Sequence, residues 1–268
     1  MDDDKLKQIA NSSGFPLQIG LENLVNGTSI DHGWKVLYKE HPWESSYSNN
    51  SGFIDLVLTY RDNISIMIIE CKRVQDSNWI FMLPSDNQAR RRQAKVWISR
   101  FNTGGKNYFD WYDITASPPS PESEFCVVHG QDNKSKPMLE RIAAGLVDAT
   151  ESLAREEYEF YKPENIYTRL YFNVIVTTAD LKLCSFDAGK VSLDTGMIEE
   201  AEFRSVPFVR FRKCLSTKPV DQLHLAERSP YHLTRAKENT VFIVNASHFS
   251  EFLKEIELEN TLFRNFGV

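Results

Sequence analysis

The sequence predicts a mixed α/β protein built around one sheet. Three observations predict it: apolar runs of strand length early in the chain, amphipathic helical stretches between them, and further strands and a helix towards the end. The 268 residues carry 41 % hydrophobic and 25 % charged side chains and a formal net charge of −6. That is ordinary globular usage, too apolar and aromatic for disorder.

Residues 16–26 read as a helix, with Pro16 in the first turn, Gly27 at the end, and Leu17, Leu21, Leu24 and Val25 on one face. Trp34 to His41 reads as a first strand, residues 53–60 as a second and 64–73 as a third. The turn Arg61-Asp62-Asn63 makes the last two an antiparallel hairpin. Residues 86–101 are expected to be helical, capped by Ser85 or Asp86. Gly104 to Pro121 reads as a long irregular loop and Phe125 to His129 as a short strand. A long amphipathic helix is expected at 137–160 and a strand at 170–178, with a hairpin around Asp187-Ala188-Gly189-Lys190. Val206 to Lys213 alternates, Val209 and Phe211 against Arg210 and Arg212. A strand at 240–245 and a helix from about 247 to 259 close the chain. No linker interrupts it, so a single domain over 1–268 is expected.

Several classes are disfavoured. No run of about 18 apolar residues suggests a membrane span. Met1-Asp2-Asp3-Asp4-Lys5 is no secretory leader, and Cys71, Cys126, Cys184 and Cys214 stand far apart. Both point to a reducing, cytoplasmic setting. His32, His41, His129, His224, His232 and His248 show no metal-ligand spacing, and P-loop, Rossmann and hydrolase-elbow motifs are missing. An acidic chain that bound nucleic acid would need a local basic face.

Asp55, Glu70 and Lys72 stand out. Residues i and i+2 of a strand share a face, so Glu70 and Lys72 project together from an apolar strand. The hairpin can bring Asp55 alongside. A carboxylate pair without thiol or imidazole suits a hard cation such as Mg²⁺ or Mn²⁺. A neighbouring lysine can orient an attacking water and stabilise charge on a phosphate. The bland alternative is a salt bridge at a solvated strand end.

Gly52-Phe53-Ile54-Asp55 followed by Ile68-Ile69-Glu70-Cys71-Lys72-Arg73 resembles the PD-(D/E)XK nuclease superfamily. The resemblance is best over residues 16–101, and Ile54 stands where the motif often has Pro. It implies a restriction-endonuclease-like mixed central sheet flanked by helices. The nuclease core would span about 15–180, and residues 181–268 would add strands and a helix. It implies Mg²⁺-dependent hydrolysis of DNA, with Asp55 and Glu70 holding the metal, the Cys71 carbonyl as a further ligand and Lys72 acting on water. Glu22 falls where members carry a glutamate on the first helix. Gln93, four residues before Trp97, is similar to the helix glutamine of RecB-like branches. Arg90, Arg91 and Arg92 are expected either to contact phosphates or to form a solvated helix face. DNA is the expected partner, with a second copy or another protein subunit beside it. The competing reading is an idle α/β binding module within a larger nucleic-acid-processing or defence complex.

Overall fold

The computed structural model describes residues 2–48, 50–75, 77–84, 91–102, 107–129, 137–161, 166–219, 223 and 228–259. The chain opens with three helices, α1 (Asp3–Ser12), α2 (Phe15–Gly27) and α3 (Ser29–His32). Strands β1 (Lys35–Glu44), β2 (Ser51–Thr59), β3 (Ser65–Lys72), β4 (Asn78–Pro84), β5 (Arg91–Asn102), β6 (Tyr108–Ser120), β7 (Glu122–Ser123) and β8 (Phe125–Val128) follow. Helix α4 (Met138–Tyr161) leads to β9 (Ile166–Thr177), β10 (Asp180–Phe186), β11 (Glu202–Ser205) and β12 (Phe208–Cys214). The described chain ends with α5 (Pro230–Lys237), β13 (Glu238–Asn245), α6 (Phe249–Glu255) and β14 (Glu257–Leu258).

Among the described residues, ten strands form a mixed sheet whose main path runs β1-β2-β3-β9-β13-β12-β7, with β5, β6 and β14 branching from β9. A second sheet orders β11-β10-β4-β8. The expected hairpin is present: β2 and β3 pair antiparallel, from Leu56 opposite Ile69 to Thr59 opposite Ile66. β3 then pairs in parallel with β9. A parallel neighbour needs a crossover, and α4 supplies it.

Both faces of the main sheet are covered, so its central strands are apolar on both sides. Ile66 and Ile68 pack with Leu146 and Leu153 of α4. Met67 and Ile69 pack on the other face with Leu21 and Val25 of α2 and with Phe249 and Phe252 of α6. Trp79 and Phe81 of β4 join the α4-side core, so the two sheets share one interior.

The structure corrects several expectations. Residues 91–102 are the strand β5, not part of a helix, and residues 85–90, with the expected cap and Arg90, lie outside the described residues. Ala94, Val96 and Ile98 face one core and Trp97 the other. That is period two with β-branched and aromatic residues, a strand pattern masked by the charges before it. Tyr108–Ser120 is strand β6 rather than loop, with Trp111 and Ile114 buried. The prolines at its end obscured its aromatic pattern. Phe125–Val128 belongs to the second sheet, not the main one. Helices α1 and α5 had no counterpart in the sequence reading. The hairpin expected around 187–190 joins β10 to β11 as an antiparallel pair, through a longer connection that includes a short 3-10 turn at Ala188–Lys190. Arg210 does not face solvent: it is fully buried, and it donates to the carbonyls of Ala116 and Pro118 and to Ser120. Arg212 pairs with Asp113 and Glu238.

Candidate metal centre

The β2–β3 ladder sets the site. Asp55 and Glu70 come one step beyond Leu56 with Ile69, where the ladder ends, and are near enough for the Asp55 charge to act on Glu70. Period two puts Glu70 and Lys72 on the face of Ile66 and Ile68, under α4. Lys72 pairs with Thr177 of β9, which fixes the strand end. Asp55 Oδ2 accepts from the backbone N–H of Cys71 at 2.6 Å, tying the two strands where regular pairing stops.

A further carboxylate comes from β1. Lys39 pairs with Leu56 and His41 with Ile54, so Glu40 lies opposite Asp55. Its φ of 49° is in the left-handed region, unusual for a residue with a Cβ. Gln18 of α2 holds this arrangement. Its Nε2 donates to Glu40 Oε1 at 2.5 Å and to the Asp55 carbonyl at 3.0 Å.

The electrostatics are those of crowded acids. Burial pushes the Glu70 carboxyl up to about 7, and the charges of Asp55 and Glu40 add to the rise while Lys72 opposes it. Burial also raises Asp55, against the stabilising Cys71 N–H. The Cys71 thiol is pushed far up by burial and by the same carboxylates, so it stays protonated. The donors offered here are therefore oxygens. Two desolvated carboxylates with one lysine beside them fit a hard cation, and Asp55 and Glu70 are the side chains that would hold it. Among the described residues, no group of three or more His, Cys, Asp or Glu side chains is arranged as a metal-ligand set.

Other predicted site residues fall elsewhere. Glu22 pairs with Lys39 at 3.0 Å, and the α2 residue that reaches Asp55 is Gln18, one turn earlier. Gln93 borders a small pocket with Arg212, Tyr231, Thr234, Arg235 and Glu238, none of them part of the acidic pair. Arg91 pairs with Ser120 in the β5–β6 ladder, and Arg92 lies 3.8 Å from Glu259. The structure thus brings together Asp55, Glu70, Cys71 and Lys72, and does not bring Glu22, Gln93, Arg91 or Arg92 to them. Sequence reasoning missed Gln18 and Glu40. Gln18 shares the inner face of α2 with Leu21 and Val25, which was a usable signal. Glu40 had none, since its place depends on the β1–β2 register.

Comparisons with family models, with curated proteins and with solved structures return no match.

Proposed function

We propose that this protein is a metal-dependent nuclease that hydrolyses phosphodiester bonds of DNA at Asp55, Glu70 and Lys72. The observation that supports the reading is the meeting of two half-buried carboxylates where the β2–β3 ladder ends, both raised by burial, with a lysine on the same strand face as Glu70. The order helix, three antiparallel-paired strands, crossover helix and parallel strand, from α2 through β3 to α4 and β9, supports a restriction-endonuclease-like core. Strands β4 to β8 form an insertion in that order. β12 and β13 extend the same sheet, so the C-terminal part is integral to it.

Asp55 and Glu70 would hold Mg²⁺ or Mn²⁺, with the Cys71 carbonyl as a further oxygen. Bound there, the cation supplies Lewis-acid polarisation of the phosphate. Lys72 orients the attacking water and stabilises the negative charge that grows on the phosphoryl oxygens. The Cys71 N–H fixes Asp55 Oδ2, and Gln18 fixes the Asp55 backbone, so the carboxylate is aimed before substrate arrives.

Lys72→Ala separates water positioning from metal binding. Single-turnover cleavage should fall about 10²-fold or more, the scale for one preorganised electrostatic group. Calorimetric Mn²⁺ affinity should stay within a few fold, or improve, because a nearby positive charge is removed. Unchanged cleavage would reduce Lys72 to a salt-bridge partner and favour the idle binding module.

A further inference from the structure

Strand β11 ends the second sheet. It pairs with β10 on one side, from Lys182 opposite Ser205 to Ser185 opposite Glu202, and all four of its residues are exposed. Val206, next in that register, donates its N–H to the Leu181 carbonyl. Hydrogen-bonded pairs alternate along an antiparallel ladder, so Arg204 and Glu202 also turn their backbone groups to β10. The N–H and C=O groups of Phe203 and Ser205 therefore point away from β10, to the open edge.

An open edge is a template for another strand, and charge on it commonly blocks such pairing. β11 carries charge of both signs on one face. Glu202 and Arg204 flank Phe203, exposed and without an ion pair to any other described residue. Phe203 points to the opposite face and is 61 % exposed. It ends a cross-strand row in which Cys184 of β10, Met82 of β4 and Phe125 of β8 follow. Phe125 is exposed as well, so an apolar row crosses the second sheet and stops at an unpaired strand.

We propose that β11 pairs antiparallel with β11 of a second copy of this chain, about a two-fold axis at Phe203. The charges select this register. Centred on Glu202, the two glutamates would face each other, and centred on Arg204 the two arginines would; like charges directly opposite are destabilising. Centred on Phe203, each Glu202 lies opposite the Arg204 of the other copy. Both are then in non-hydrogen-bonded pairs, where side chains come closest. The backbone agrees, because Phe203 faces the open edge and the two Phe203 residues can exchange both N–H···O=C bonds. Their rings meet at the middle of a continuous eight-stranded sheet made from two four-stranded ones. The occupant is a second copy because the pattern Glu-Phe-Arg complements itself when reversed. The strand is short, so the contact is smaller than a standard interface and the dimer is weak and concentration-dependent. The proposal stands apart from the nuclease reading.

The test is sedimentation velocity at physiological salt over about a hundredfold range of protein concentration. Wild type is compared with Glu202→Arg, Arg204→Glu and Phe203→Pro, with circular dichroism to check folding. Wild type should show a reversible monomer–dimer equilibrium. Glu202→Arg and Arg204→Glu should each weaken self-association about tenfold or more, since both symmetric pairs become repulsive. Mixing these two variants should restore association, because each then meets opposite charge at both positions. Phe203→Pro removes an N–H that faces the open edge, which a folded edge strand tolerates, and should abolish the dimer. A wild type that stays monomeric throughout would overturn the proposal. So would a dimer that survives either charge reversal, or two folded charge variants that fail to associate when mixed.

Discussion

Glu70 holds its proton to about 7 because burial and the Asp55 and Glu40 charges all disfavour its ionised form. This has a consequence for stability. The folded carboxyl titrates above its unfolded value near 4.5, so the folded state binds the proton more tightly. Its stabilising contribution is complete below the unfolded value and is lost as pH rises through about 7. The loss is on the order of 3 kcal/mol. In EDTA, urea unfolding should therefore show lower stability at pH 8 than at pH 5. Glu70→Gln, which cannot ionise, should remove most of that difference. Mg²⁺ should restore stability at pH 8 in the wild type by binding the folded state. A Glu70→Gln protein with the full wild-type pH dependence would show that another group carries it. At this scale the sequence was legible for Asp55, Glu70 and Lys72, because strand parity and one short turn fix their meeting. It was not legible for Glu40, whose position opposite Asp55 depends on the bulged pairing between Val36 and Tyr38.

Among the elements, β12 is held to β6 by Arg212, which pairs with Asp113, and above all by Arg210. The Arg210 guanidinium donates to the carbonyls of Ala116 and Pro118 and to Ser120 Oγ, and it lies 5.0 Å from the centre of the Phe242 ring. Burial lowers it to about 10, which still leaves it charged at neutral pH. Removing it strands two buried carbonyls and opens a void. Arg210→Ala should cost about 3–5 kcal/mol in chemical denaturation, the scale for breaking a buried charged network. A loss below 1 kcal/mol would mean water replaces it. The alternation of Val209 and Phe211 with Arg210 and Arg212 was plain in the sequence. Its outcome was not, because the polar side of β12 is covered by β6, whose prolines and polar residues read as a loop in the sequence. The same error hid β5. Its strand pattern at Ala94, Val96 and Ile98 follows Arg90-Arg91-Arg92-Gln93, and local charge resembled a helix face. By contrast α2, β2, β3 and α4 were legible, since each carries one uninterrupted apolar period.

Over the whole molecule, the expected fold class holds: a large mixed sheet flanked by helices. No described helix is long and apolar enough to cross a membrane. With a net charge of −6, the proposed DNA substrate would have to be attracted locally. Arg92 stands on β5 beside Glu259, outside the acidic site. Arg92→Ala should therefore leave cleavage within about twofold, and a loss above tenfold would put DNA across β5. The proposed nuclease activity requires that Asp55 and Glu70 hold a cation at which DNA is cut. Plasmid, linear duplex and single-stranded DNA incubated with Mg²⁺, Mn²⁺ or EDTA test it directly, with wild type beside Asp55→Ala. Cleavage is expected from the wild type with either metal, with none in EDTA and none by a folded Asp55→Ala. No cleavage of any of the three DNAs by the wild type, or cleavage that survives Asp55→Ala, would contradict it.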